Sequence, residues 1–315
     1  MIEDRDFFQH FGEKIEENIL LKDFTGIGVG GMADYFYRAE RIEELVGIVS
    51  YLSRREIPYF ILGGGYNIIV SDLGFPGVVI KNEVRDMVFS GEKAEVIVSS
   101  GVEITRLLVD AASRDLGGLE FLYGIPGTIG GAVHGNAGAF GHAIGDFVKS
   151  TTILIPGNKN KETKILRHTQ KWFEFENRSS KLKRSAIQRP YEKPIILSIK
   201  IQLCQSKKEV ILRKMQENFK YKKETQPLEA KSAGCFFRNP GAEKEQTAGF
   251  LLDSSGAKKL RIADAVVSKK HANFILNRGK ATAEDIRRLA NQMKELVRAK
   301  FRTDLAEEVE YVGKW

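Results

Sequence analysis

Apolar residues at Ile42, Leu45, Val46, Val49 and Leu52 recur at helical spacing, and Pro58 closes that stretch, so a helix is predicted there. Short apolar runs around it read as strands at 33–37, 59–62, 78–80 and 96–99. A second helix is predicted over 104–112, with Leu107, Leu108 and Ala111 turned inward. Strand-like runs follow at 121–122, 148–154, 163–165 and 195–203. Upstream, residues 1–20 read as an extension carrying a short amphipathic helix around 8–19. After Cys204 the pattern changes. A helix over 210–221 carries Ile211, Met215 and Phe219, and another starts at Thr282-Ala283-Glu284-Asp285. That tetrapeptide resembles a capping box with Asp in the place of Glu or Gln, and Ile286, Leu289, Met293 and Leu296 continue the helix. The alternation of helices and strands predicts an α+β chain with a boundary near 204, without repeats or low-complexity segments.

The length of 315 residues suits two or three domains, and 42% hydrophobic residues suffice to bury a core, which excludes a disordered or fibrous chain. No apolar run approaches a membrane span, and the acidic start Met1-Ile2-Glu3-Asp4 is unlike a signal peptide, so a soluble cytoplasmic protein is expected. Forty-nine basic residues against 41 acidic leave +8, but the basic pairs are scattered, as at Arg54-Arg55, Lys222-Lys223 and Lys269-Lys270. A nucleic-acid binder would gather them in a stripe or tail. Solvated surface charge is the plain account, with a few cations left to hold an anionic small molecule. Cys204 and Cys235 form no CxxC or zinc spacing, so no disulfide framework and no metal are expected.

Glycine placement changes the picture. Gly26-x-Gly28-x-x-Gly31 has the dinucleotide spacing, but no hydrophobic strand precedes it and a strand rather than a helix follows. Turn glycines account for it better. Gly63-Gly64-Gly65-Tyr66-Asn67, directly after a strand, lets successive backbone N–H groups face one anion, with the Asn67 amide as a further donor. Between Gly124 and Gly145 there are eight glycines in 22 residues, interleaved with Ile125, Pro126, Ile129, Val133 and Phe140, which argues against disorder. Two such surfaces suit a long dinucleotide. Cys235, in Ser232-Ala233-Gly234-Cys235-Phe236-Phe237-Arg238-Asn239-Pro240, reads either as a small core hydrophobe or as part of an exposed turn.

Taken in order, these motifs resemble the UDP-N-acetylenolpyruvoylglucosamine reductase family. The first half carries Thr25, Gly30-Gly31, residues 62–67, residues 124–131 and Asn136-Ala137-Gly138-Ala139-Phe140-Gly141. The second half adds Arg178-x-Ser180, Gln226-Pro227, residues 232–240, Ala248-Gly249-Phe250-Leu251-Leu252, Ser268-x-Lys270-His271-Ala272-Asn273-Phe274 and Leu305-x-x-Glu308-Val309. The resemblance runs from about residue 20 to Gly313. It implies an FAD-binding fold of the vanillyl-alcohol-oxidase/p-cresol-methylhydroxylase type, made of two α+β subdomains, plus a C-terminal α+β substrate domain. The divisions expected are an extension (1–20), subdomains at 21–84 and 85–203, and a substrate domain at 204–304, with 305–315 packing back on the first subdomain.

The implied activity is NADPH-dependent, FAD-mediated reduction of UDP-N-acetylglucosamine enolpyruvate to UDP-N-acetylmuramate for peptidoglycan. The resemblance places non-covalent FAD against Gly63, Gly64, Gly65, Tyr66 and Asn67. It adds Gly124, Ile125, Pro126, Gly127, Thr128, Gly130, Gly131, Asn136 and Gly138 from the second loop. Arg178 would bind and polarise the substrate carboxylate, Glu308 assist at the enolate and Cys235 protonate it, while Lys223, Asn239, Lys270 and Asn273 bind substrate. The enolpyruvyl sugar nucleotide and NADPH are the expected partners, with no nucleic acid, membrane or obligate protein partner. The chain departs from the family at Cys235, commonly serine, at Tyr66 after the glycines and at Asn177 before the arginine. Only 57 positions separate Arg178 from Cys235, too few for the substrate-clamping loop insert of some members, so the diphosphate clamp stays unassigned. A flavin oxidase of alcohols or lactones on the same fold, with His134 as the covalent attachment point, is the competing reading.

Overall fold

The computed structural model describes residues 5–185 and 193–315; residues 1–4 of the expected N-terminal extension lie outside that range. It divides into two compact units, each assembled from three stretches of chain. The first comprises Met1–Glu17, Asp34–Gly64 and Gly77–Lys220, and the second Asn18–Ala33, Gly65–Pro76 and Tyr221–Trp315. The division thus falls at 220 rather than near 204, and two short early segments belong with the C-terminal third. Ile211 and Met215, on the helix Lys208–Thr225, are buried among Leu108, Leu116 and Leu203, which ties the start of that helix to the first unit.

The first unit holds most of a four-stranded sheet in the order Ile15–Leu20, Met32–Ala39, Phe75–Asn82, Tyr59–Leu62, the last two parallel. The helix Ile42–Arg54 covers it, inserting Leu45, Ile48, Val49 and Leu52 against Tyr35, Tyr59, Val78 and Ile80. Each such aliphatic side chain contributes about 1.5–3 kcal/mol by leaving water. A five-stranded antiparallel sheet runs in the order Lys164–Thr169, Val148–Ile155, Ile195–Gln202, Glu95–Ser99, Met87–Ser90. A register shift between Thr152 and Ile153 re-aims the central strand. Ile195 and Leu197 therefore enter the core of the first sheet, while Ile196, Ile199 and Ile201 pack with Leu107 and Leu108 of the helix Ile104–Ala112.

Two sequence readings fail here. The expected helix over 8–19 is the helix Arg5–Phe11, a turn at Gly12–Lys14 and then the strand Ile15–Leu20. Gly12 interrupts the helix, and pairing with the neighbouring strand satisfies the backbone that follows. Residues Glu120–Leu122 form a single 3-10 turn rather than a strand, held where the Glu120 carboxylate accepts from the Gly118 N–H at 3.1 Å.

The second unit is built on a small antiparallel sheet, Arg261–Ile262, Ala265–Val267 and Ile275–Asn277, with the helices Ala248–Ser254 and Ala283–Phe301. Leu251, Leu252, Ile286, Leu289 and Met293 bury their side chains with Phe236, Phe237, Ile27 and Ile69. Thr282 and Asp285 form the predicted capping box. Asp72 adds a second cap, accepting from the N–H groups of Ala283 and Glu284 at 2.9 and 3.0 Å. The strand Glu310–Val312 pairs in parallel with Ile68–Val70. Among the described residues no helix is long and apolar enough to cross a membrane.

Candidate active site

In the first unit the strand Tyr59–Leu62 runs straight into Gly63 and Gly64. A Cβ on Gly63 would stand 2.8 Å from the Oγ1 of Thr128, so the two glycine-rich segments lie against each other with Thr128 between them. Thr128 is buried and its hydroxyl also accepts from the Gly131 N–H at 3.3 Å. Gly130 donates to the Ser100 carbonyl at 2.8 Å, and a Cβ there would meet Ser100 at 2.7 Å. Gly124 and Gly127 have φ of +79° and +130°, and a Cβ on Gly127 would point into open space. This is a cradle of bare backbone that side chains would fill, and it fits a dinucleotide phosphate or a flat ring. The Nζ of Lys81 donates to the Gly63 carbonyl, and burial pushes its pKa below the usual lysine range. Sequence reasoning missed Lys81; a lysine ending the apolar strand Phe75–Asn82 was the available signal.

Gly65 and Asn67 lie in the second unit. Gly65 has φ +74°, and a Cβ would fall 2.0 Å from the Phe24 carbonyl, so only glycine fits. Tyr66, which departs from the family pattern, lays its ring over Gly26, where a Cβ would come within 2.5 Å of the ring. The Gly26–Gly31 segment is a loop leading into a strand, as its flanks implied, and not a dinucleotide fingerprint.

Arg178 occupies a tight turn in the first unit, where Glu176 and Ser179 exchange backbone hydrogen bonds of 3.0 and 3.2 Å. Its φ is +55°, a left-handed conformation that costs a non-glycine residue about 1–3 kcal/mol. Two contacts hold the turn. Asn136 Nδ2 donates to the Glu176 carbonyl at 2.7 Å while its Oδ1 accepts from Gly145, and Ser180 Oγ donates to the His134 carbonyl at 2.6 Å. The Asn136 amide therefore ties the glycine-rich loop to the arginine turn. Gly138 is buried in a short hairpin, where a Cβ would lie 2.4 Å from the His142 carbonyl.

Cys235 is half-buried and follows Gly234, whose φ is +78°. The next three residues run antiparallel to the chain before Val309: Glu308 N–H donates to the Phe236 carbonyl at 2.8 Å, and Arg238 N–H to the Ala306 carbonyl at 2.9 Å. Glu308 is thus paired with Phe236, the residue that follows Cys235, more than seventy positions away in sequence. Asn273 lies along the other edge of 236–237, and Asn67 Nδ2 donates to the Glu308 carbonyl at 3.2 Å. His271 accepts from the Asn273 N–H at 3.2 Å, and burial, with Lys258 nearby, lowers its pKa. Asn239 is exposed, and its Oδ1 accepts from the Ala248 N–H at 3.1 Å.

Lys223 and Lys270 meet directly, Lys270 Nζ donating to the Lys223 carbonyl. Both line a cleft of about 770 Å³ that also receives Lys231, Lys269 and Arg278. Among the described residues that line the cleft only Glu229 is acidic, 3.8 Å from Lys223, a separation and exposure at which an ion pair contributes little. Lys231 and Arg278 had no motif to mark them and were not predicted.

The class of protein follows: residues 33–160 match the FAD binding domain family, and the chain is an FAD-dependent oxidoreductase. Residues 226–312 match the family described as UDP-N-acetylenolpyruvoylglucosamine reductase, C-terminal domain. The reductase of that name from Clostridium novyi is 35% identical over 96% of this chain and 93% of its own length. That from Protochlamydia amoebophila is 36% identical over 94% and 93%. The crystal structure of the Thermus caldophilus reductase superposes with a TM-score of 0.76 at 33% identity, covering 95% of this chain and 99% of the other. The chain belongs to the UDP-N-acetylenolpyruvoylglucosamine reductase family, and the oxidase reading drops out.

Proposed function

We propose that this chain reduces the enolpyruvyl ether of UDP-N-acetylglucosamine to UDP-N-acetylmuramate in the cytoplasm, with NADPH as reductant, as a step of peptidoglycan synthesis. The observation that carries the reading is the ladder joining the residue after Cys235 to Glu308, because reduction of an enolpyruvyl ether needs an acid and a charge-stabilising group beside one carbon. FAD, when bound, would supply the hydride chemistry that reduces the enolpyruvyl double bond, with NADPH as the source of electrons. Gly127 leaves open space for FAD, Gly63 and Gly130 let the loops close on Thr128 and Ser100, and the Thr128 hydroxyl and Lys81 fix the backbone around it.

Arg178 pairs with the substrate carboxylate and draws electron density toward it, stabilising the enolate that forms. Glu308 assists at that enolate, and the Cys235 thiol passes its proton to the carboxylate-bearing carbon. A thiol, with an ordinary pKa of about 8.5, is a far stronger acid than the hydroxyl it replaces in relatives. Lys223, Lys270 and Asn239 hold the sugar nucleotide, and two further cations of the cleft, Lys231 and Arg278, supply charge for a diphosphate.

The experiment is anaerobic. NADPH should bleach the flavin of the purified protein, and the enolpyruvyl sugar nucleotide should restore its colour; flavin that stays reduced overturns the reading. Cys235→Ala should bleach normally and fail to recover, whereas Cys235→Ser should bleach and still recover. Wild-type turnover by Cys235→Ala would return Cys235 to a packing role.

A further inference from the structure

Asn273 stands in a segment whose neighbours line the cationic cleft, and by motif it reads as a substrate ligand. Its surroundings assign it elsewhere. It is 2% exposed, and both ends of its amide are already engaged by the chain: Oδ1 accepts from Phe237 N–H at 2.9 Å and Nδ2 donates to the Phe237 carbonyl at 2.8 Å. Its own carbonyl accepts from Phe236 N–H at 2.8 Å. The side chain and carbonyl of this one residue thus serve residues 236–237 as a strand edge would. The opposite edge of the same residues pairs with 306–308. Asn67 then anchors the far side, its Nδ2 on the Glu308 carbonyl and its own carbonyl accepting from Glu310 N–H at 3.0 Å.

We propose that Asn273 is a positioning residue for proton transfer, setting Cys235 in register with Glu308 through the main chain of Phe236 and Phe237 without touching substrate. Phe236 and Phe237 are buried and cannot shift alone; their backbone is held on one edge by the bonds to 306–308 and on the other by the pair of amide bonds from Asn273. Loss of the amide leaves a buried N–H and a buried C=O unsatisfied, and the segment must move to find partners. Movement of about 1 Å at a reacting group costs on the order of 10²-fold in rate. The inference rests on the proposed reduction, since it is the enolate that Cys235 must reach.

The test separates the two half-reactions in FAD-loaded protein. Asn273→Ala should bleach with NADPH at the wild-type rate, lose about 10²-fold in kcat for the enolpyruvyl sugar nucleotide, and keep its KM. A raised KM with unchanged kcat would make Asn273 a substrate ligand, and unchanged kcat and KM with lower thermal stability would make it merely structural; either result overturns the proposal. Asn273→Asp decides the matter if the alanine variant does not fold. A buried carboxyl has its pKa raised, and in its protonated form it offers both an acceptor to Phe237 N–H and an O–H donor to the Phe237 carbonyl. Relative to wild type at the same pH, its kcat should recover as the pH is lowered, and Asn273→Ala should show no such recovery. A kcat ratio flat with pH overturns the inference. If instead substrate fails to reoxidise wild-type flavin, it is the proposed function that falls, and the Asn273 variants play no part in that result.

Discussion

A side chain at Gly63 has nowhere to go: its first carbon would press on Thr128 Oγ1, which is held by Gly131 and buried. Gly63→Val should therefore yield folded, colourless protein, checked by flavin absorbance per chain and by circular dichroism; retention of the flavin at wild-type occupancy would refute the cradle. Gly127 makes a contrast, because nothing lies within 4 Å of the position a Cβ would take and only its φ of +130° resists substitution. Lys81 acts on the same loop from beneath, through the Gly63 carbonyl. Burial has lowered its affinity for a proton, yet it reaches the one carbonyl whose orientation decides where the next N–H points.

Among the elements, the helix Ala283–Phe301 has a doubly satisfied start, with a capping box and an incoming carboxylate from Asp72. Asp72→Ala should cost about 0.5–2 kcal/mol, seen as a fall of the unfolding midpoint in denaturant with unchanged slope, while Thr282→Ala should cost about 1 kcal/mol. Thr282 was legible because its bonds are local; Asp72 was not, since its partners lie 211 and 212 positions away. The same distinction runs through the fold and the site. The helix Ile42–Arg54 and the strand Ile195–Gln202 could be read because their apolar spacing matches their own burial. Residues Ile15–Leu20 could not, because a short mixed run suits helix or strand equally until a neighbouring strand claims it. Glycine cradles announce themselves, since only glycine tolerates those conformations. The amides of Asn136 and Asn273 do not: both look like ligand contacts in a motif, and both are engaged by backbone 40 and 36 positions off.

At the level of the whole molecule, each unit is interleaved in sequence with the other, so neither corresponds to a contiguous half of the chain. The net charge of +8 also acquires a place: Lys223, Lys231, Lys269, Lys270 and Arg278 gather around one cleft of the second unit, although their scatter in sequence resembled ordinary surface charge. The bond from Asn67 to Glu308 spans 241 positions. Contacts that distant must wait for loop closure, whereas most of the five-stranded sheet is contained between Met87 and Gln202. Refolding should accordingly be sequential. In pulse-labelled hydrogen exchange, the amides of Glu95–Ser99, Val148–Ile155 and Ile195–Gln202 should gain protection first, and those of Phe236, Phe237 and Glu308 last. Simultaneous protection would contradict this order. The proposed machinery for proton delivery would then be the slowest part of the molecule to assemble, and a chain caught midway through folding would already hold its central sheet while the proposed acid was still out of register.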